Sequence, residues 1–394
     1  MKNSLLFEFR RFSLLQILSL VFLAIFLLAY FLKVNEIQNT YSFHGYIATD
    51  WLINYSSGFI RRGLFGEFAL WLNQYLDINP INTVLATKYL LYATLCGSFF
   101  ILCALKKIGP IELVLIFAPY SFMFDLNDPM GSGRKELFLF ATFSCFVLLQ
   151  LIVKPATDIF YKRWDFWFLC IIFPIITLMH EGLFFFLQFF ILLIYLQNNS
   201  SKPLMFIIPY GLTFCILLSL YFLFRGSVSD TAIICASLNQ WSANGSLGCE
   251  AIEILSKPPL KIHSGLYKSF IPLLFLTLVP LAIYGVIALG RTKYRQFLLY
   301  SGLAFILSLP LFMLGIDWGR WIHTLGFLFL VILISIKNNH ELTYKGSLWL
   351  LPLFIFMVFL YLFYWRIAHY VGGNKVFWWW SQDFLGYFNA FRLQ

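Results

Sequence analysis

Long apolar runs recur from one end of this sequence to the other, and they limit the chain to one class of fold. The runs cover residues 13–32, 83–105, 111–124, 137–153, 166–180, 182–197, 203–224, 269–290, 297–315, 322–336 and 347–364. A hydrocarbon core ~30 Å thick takes roughly 20 apolar residues per helix, so runs of this length predict transmembrane helices. With 60% of residues hydrophobic and only 12% charged, no soluble domain of this length could hide the apolar surface. The expected fold is an all-α polytopic membrane protein of about eleven transmembrane helices. Runs near 15 residues suit helices that end within the membrane against a polar cavity. No internal repeat or low-complexity tract divides the chain, so residues 1–394 read as a single helical membrane domain.

The formal charge of +10 is distributed by side rather than along a nucleic-acid-binding face. Alternate short loops carry Lys2, Arg10 and Arg11; Lys106 and Lys107; Lys154, Lys162 and Arg163; Lys202; Arg291, Lys293 and Arg295; Lys337 and Lys345. The excess of basic residues marks these loops as cytoplasmic, which puts the N-terminus inside and argues against nucleic acid as a partner. The first apolar run is followed by no small-x-small cleavage site, so it reads as a retained anchor. Two longer excursions, 33–82 and 225–268, then fall on the outer, non-cytoplasmic side. Cys235 and Cys249 share the second, where an oxidising compartment permits a bridge; the spacing leaves bridged and free states open. The other cysteines read as core packing. The tail holds three successive tryptophans suited to the headgroup belt.

The informative charges lie on the outer side, in four mixed-sign clusters near the ends of apolar runs. Asp50, Arg61, Arg62 and Glu67 form the first, and Asp125, Asp128, Arg134, Lys135 and Glu136 the second. His180 and Glu181 form the third, and Asp317, Arg320 and His323 the fourth. Ionisable groups at membrane depth cost about 2.5–3.5 kcal/mol each on insertion scales, and persist where they pair or face a watery site. Mutual neutralisation explains a pair such as Asp317 and Arg320 but is an incomplete account of four clusters in one compact bundle. No metal or cofactor is expected: His180–Glu181 lacks the second His of a zincin, since position 184 is Phe, and "GSG" at 131–133 lacks the lysine spacing of a P-loop.

The stretch "GFIRRGLFGEFALWLNQYL" mixes Phe59, Leu64, Phe65, Phe68 and Trp71 with Arg61, Arg62, Glu67 and Asn73, as an amphipathic interfacial helix does. Two consecutive arginines point to different azimuths of such a helix. Either both reach headgroups, or one joins Arg134, Lys135 and Arg320 in binding a phosphate or pyrophosphate, for which the permanently charged fork of arginine is suited.

The acidic Asp50 in the first outer loop, the outward arginines Arg61, Arg62, Arg134 and Arg320, the many spans and the long later loop together resemble the integral-membrane glycosyltransferases of the GT-C type. Among these the pattern is most similar to the Wzy-type O-antigen and capsule repeat-unit polymerases. "INYSSGFIRRGLFGE" also looks like a block of membrane proteins from envelope-polysaccharide loci. The usual acidic pair of the type is not plainly present, since Asp50 and Glu67 stand 17 residues apart. The resemblance implies polymerisation of undecaprenyl-pyrophosphate-linked oligosaccharides at the periplasmic face of the bacterial inner membrane, beside other envelope-polysaccharide assembly proteins. It implies Arg61, Arg62, Arg134, Lys135 and Arg320 as phosphate ligands, and Asp50, His180, Glu181 or Asp317 as the general base. A GT-C transferase using a polyprenyl-phosphate sugar is one alternative. A flippase for the same lipid-linked saccharide is another, and the absence of matching pseudo-repeated halves weighs against it.

Overall fold

The computed structural model describes residues 12–41, 45–153, 159–198, 207–223, 231–239, 241, 249, 251–253, 264–337, 352, 356 and 367. Among these there is no strand, and the chain runs as α1 (Leu14–Tyr41), α2 (Gly45–Leu52), α3 (Leu64–Leu76), α4 (Pro80–Leu105), α5 (Pro110–Ile116), α6 (Met123–Asn127) and α7 (Glu136–Ile152). It continues through α8 (Trp164–Met179), a 3-10 segment (Glu181–Phe186), α9 (Gln188–Asn198), α10 (Ile207–Leu223), α11 (Thr231–Asn239), α12 (Ser264–Leu289), α13 (Arg291–Leu314) and α14 (Trp318–Ile336). Among the described residues, five helices are long and apolar enough to cross a membrane: Leu14–Thr40, Pro80–Leu105, Phe270–Leu289, Lys293–Met313 and Trp318–Ile336. Four more apolar helices are shorter. The run 347–364 falls almost wholly, and the tryptophan-rich tail entirely, outside the described residues.

Local signals set the helix starts. Ser13 and Gln16 cap α1 reciprocally, the Ser13 N–H donating to Gln16 Oε1 at 3.0 Å and the Gln16 N–H to Ser13 Oγ at 3.3 Å. Asn79 Oδ1 accepts from the Ile81 N–H at 2.9 Å, and Pro80 takes the first helical position of α4, where its missing N–H is harmless. The outward leucines and phenylalanines of α1, among them Leu14, Leu18, Phe22 and Leu28, are exposed as lipid-facing side chains would be.

α14 is the axis of the bundle. Every residue from Trp318 to Ile336 is buried, as expected of a helix apolar on all sides. It packs against α12, α7, α9 and α13, while α4 lies along α7 and α1, and α8 supports α10.

Three expectations change. The first helix continues past residue 32 to Tyr41, so the first excursion is shorter than expected. The run 111–124 is not one helix: α5 ends at Ile116 and α6 begins at Met123, because Pro119 lacks an N–H and disfavours helical geometry at Ala118. This broken segment still runs the length of α14. Glu112 at its start meets Lys337, where Nζ and Oε1 are 2.6 Å apart, and Phe124 near its end stacks on His323 at 4.2 Å. Third, the amphipathic helix begins at Leu64, so Arg61 and Arg62 lie in the turn before it rather than on its faces.

The two ends of the bundle differ. At the C-terminal end of α14 and α7, Glu112 also accepts from Tyr284 Oη at 2.7 Å, and Asp165 is held by Arg163 at 2.6 Å and by Gln150 at 2.7 Å. These are closed pairs. At the opposite end the charges are more numerous and less completely satisfied.

Candidate functional site

Five segments meet at that end: α2, the turn before α3, the loop before α7, the break at His180 and the start of α14. The turn is built by glycine. Gly66 packs so closely on the backbone of Leu52 and Ile53 that a Cβ would overlap the Ile53 carbonyl, which brings α3 back against α2. The turn itself holds Arg62 at φ 68°, a left-handed conformation uncommon for residues other than glycine. Lys135 Nζ donates to the Arg62 carbonyl at 2.8 Å and ties the turn to the loop before α7.

That loop is pinned from behind. Trp51 Nε1 donates to the Gly133 carbonyl at 2.8 Å, Gln38 Nε2 to Ser132 Oγ at 2.9 Å, and the wholly buried Lys88 to Gln38 Oε1 at 3.0 Å. Gly133, at φ 60°, sits where a Cβ would overlap the Gln38 side chain.

Asp50 is the centre of the arrangement. It is buried, with Arg134 Nη1 3.9 Å from Oδ2 and Arg62 Nη1 4.0 Å from Oδ1, and Oδ2 accepts no hydrogen bond. Burial opposes its ionisation, but the positive charges of Lys135, Arg134 and Arg62 outweigh that and hold the carboxyl well below the usual carboxylate range.

The other acidic groups are more tightly held. Glu181 is gripped by Arg62 through Nε and Nη2, both at 2.8 Å, and lies 3.4 Å from the exposed Arg61. Arg320 turns Nε and Nη2 to Glu136, with Nε at 3.0 Å, and Nη1 to Asp317 at 3.1 Å. Each of its nitrogens therefore faces a carboxylate. His180 Nδ1 accepts from the Gly182 N–H at 3.1 Å, so that nitrogen carries no proton.

A small cavity with room for about one water adjoins this cluster, lined by Asp125, Arg134, Glu136, Arg320 and His323 with Tyr92, Phe124 and Phe140. Tyr30 Oη donates to Asp125 at 2.5 Å from outside the lining.

Compared with known proteins, the chain matches no family model, no curated protein and no solved structure. What the site can do must come from its geometry. Asp50, Arg62, Arg134, Lys135, His180, Glu181, Asp317 and Arg320 are brought to one end of the bundle, and Arg61 sits at the rim. Glu67 lies apart from this network and accepts from the Tyr55 N–H at 3.0 Å. No group of three or more His, Cys, Asp or Glu with metal-site geometry occurs among the described residues. Lys88, Gln38 and Tyr30 support the site without standing out in the sequence analysis. The signal for Lys88 was present, as a lone cation inside an apolar run.

Proposed function

We propose that this protein is a multi-pass glycosyltransferase of the bacterial inner membrane, joining undecaprenyl-pyrophosphate-linked oligosaccharide units at the periplasmic face during O-antigen or capsule synthesis. The observation that carries the reading is Asp50, a buried carboxylate with an oxygen that accepts no hydrogen bond, placed beside Arg62, Arg134 and Lys135. In the proposed reaction an acceptor sugar hydroxyl attacks the anomeric carbon of the growing chain. The bond from that carbon to the pyrophosphate oxygen breaks, and the hydroxyl proton passes to Asp50. Arg61, Arg134 and Lys135 take the leaving pyrophosphate. Arg62 and Arg320 hold Glu181, Glu136 and Asp317 in place.

The low proton affinity of Asp50 fits this sequence of events. With Arg134 and Lys135 beside it, the carboxylate is a poor base. Once a pyrophosphate engages the same cations, Asp50 loses part of its stabilisation and its affinity for a proton rises.

The test is complementation of a gene deletion, read as surface polysaccharide on a gel. The wild-type gene should restore long chains, whereas Asp50→Asn and Arg134→Lys, at wild-type abundance, should leave single repeat units. Long chains from Asp50→Asn would remove it as the base. A deletion that leaves no surface units would indicate a flippase, and long chains of altered composition a single-sugar transferase.

A further inference from the structure

The stretch between Asp50 and Arg62 is held at its start by one side chain. Asn54 follows the last turn of α2 and is wholly buried. Its Nδ2 donates to the Leu52 carbonyl at 3.1 Å and to Ser237 Oγ at 3.2 Å, while its Oδ1 accepts from the Ser56 N–H at 3.0 Å. Both amide hydrogens and the amide oxygen are thereby engaged. Two of these bonds are local and fold the chain back after α2; the third reaches 183 residues along the sequence to α11. The turn continues with the Tyr55 N–H on Glu67 at 3.0 Å and the Gly58 N–H on the Tyr55 carbonyl at 2.9 Å, and it leads to Arg61 and Arg62.

The far end of that contact is itself fastened. Ile234 and Leu238 of α11 turn into the core, and Ser237 Oγ donates to the Ile234 carbonyl at 2.7 Å, which leaves its lone pairs to accept from Asn54. Cys235, two residues before Ser237, is bonded to Cys249. At Cys249 the chain turns again: its carbonyl accepts from the Ile252 and Glu253 N–H groups, both at 2.9 Å, and Ala251 and Ile252 are buried. α11 has nine residues, too few for a helix to be stable by itself in water. Its position therefore depends on its buried side chains and on the bridge.

We infer that Asn54 and Ser237 are positioning residues, through which the segment bridged by Cys235 and Cys249 holds the turn carrying Arg61 and Arg62 in place beside Asp50. The inference rests on the reading that the charges around Asp50 bind a pyrophosphate, and it makes that site depend on a stretch of chain far from it in sequence. One hydrogen bond between neutral groups is worth a factor of roughly two to ten in a local opening equilibrium, so its loss is read at the turn rather than as unfolding of the bundle.

The experiment is hydrogen exchange read by mass spectrometry on the full-length chain in lipid nanodiscs, with the affinity for inorganic pyrophosphate measured beside it. Ser237→Ala leaves the bridge intact and removes the acceptor from Asn54; Cys235→Ser with Cys249→Ser leaves Ser237 intact and removes the bridge. Both should speed exchange at Tyr55, Ser56 and Gly58 by about two- to tenfold and weaken pyrophosphate binding by a similar factor, with exchange around Glu112 unchanged. Ser237→Thr keeps the hydroxyl and should match the wild type in both readouts. Unchanged exchange at 55–58 in Ser237→Ala, or faster exchange confined to 231–239 in the cysteine variant, would overturn the coupling. So would faster exchange throughout the bundle, which marks a general loss of stability. Faster exchange at the turn with pyrophosphate affinity unchanged would reduce the pair to a structural contact and overturn it as well. If the cysteine variant does not fold, Ser237→Ala and Ser237→Thr decide between these outcomes. A wild-type chain that binds no pyrophosphate would remove the anion reading, and exchange at 55–58 would then decide the coupling alone.

Discussion

Arg62 binds Glu181 with two parallel hydrogen bonds across 119 residues of sequence, Nε to Oε2 and Nη2 to Oε1, both at 2.8 Å. This fork joins the turn before α3 to the break between α8 and the 3-10 segment. The two side chains bridge these segments directly. Lysine cannot reproduce a planar fork. Arg62→Lys should therefore lower stability by about 1–3 kcal/mol, the range for hydrogen bonds to charged groups. Glu181→Gln should cost a similar amount, and the double variant little more than either single one. Thermal unfolding in detergent checks this; strictly additive losses would show that the fork does not couple the two segments.

Gly66 and Gly97 make a contrasting pair. A Cβ on Gly66 would overlap the Ile53 carbonyl, whereas the space around Gly97 in α4 is open. Gly66→Ala should cost at least the ~1–3 kcal/mol of ordinary overpacking, because the obstacle is backbone and cannot rotate away. Gly97→Ala should be neutral or stabilising by roughly 0.5–1 kcal/mol, through lost unfolded-state freedom. Fluorescence-detected size exclusion of the two variants would separate them. Equal yields of monodisperse protein would contradict the close packing of α2 on α3.

Lys135 supplies a pH signature. Burial pushes its ammonium down to about 8, the pull of Asp50 notwithstanding. An unfolded lysine titrates near ~10.4, so between these values the unfolded chain holds a proton that the folded chain has released. Stability from this group therefore rises with pH across that window and is level below it. Lys135→Gln should flatten the rise in thermal midpoint between pH 8 and 10. In the wild-type chain, affinity for inorganic pyrophosphate should fall as pH passes about 8. A pyrophosphate affinity unchanged from pH 7 to 10 would remove Lys135 from the anion site.

Cys235, at the middle of α11, is bonded to Cys249, 14 residues on. Cross-linking a loop of that size is worth about 3 kcal/mol in the chain-entropy account. Replacing both cysteines with serine should lower stability by an amount on the order of 2–3 kcal/mol, and adding a reductant to the wild-type chain should do the same. Alkylation of both thiols in the absence of reductant would contradict the bridge.

The sequence alone determined what depends on local composition. Apolar runs specified helices with lipid-facing sides, and the mixed-sign clusters stood apart from the plain basic loops. These are one-dimensional properties, since each residue's transfer cost is legible in a short window.

Tertiary structure decided everything that depends on which window meets which. Arg320 could have paired with Asp317 three residues away alone, yet its Nε and Nη2 go to Glu136, 184 residues distant, because the starts of α7 and α14 lie side by side. Gly66 against Ile53 turned an expected helical position for Arg61 and Arg62 into a turn. The unmatched atoms of Asp50, Glu136 and His323 are likewise invisible in sequence. A carboxylate or imidazole lacks a donor only by virtue of what long-range packing places, or leaves absent, within about 3 Å of it.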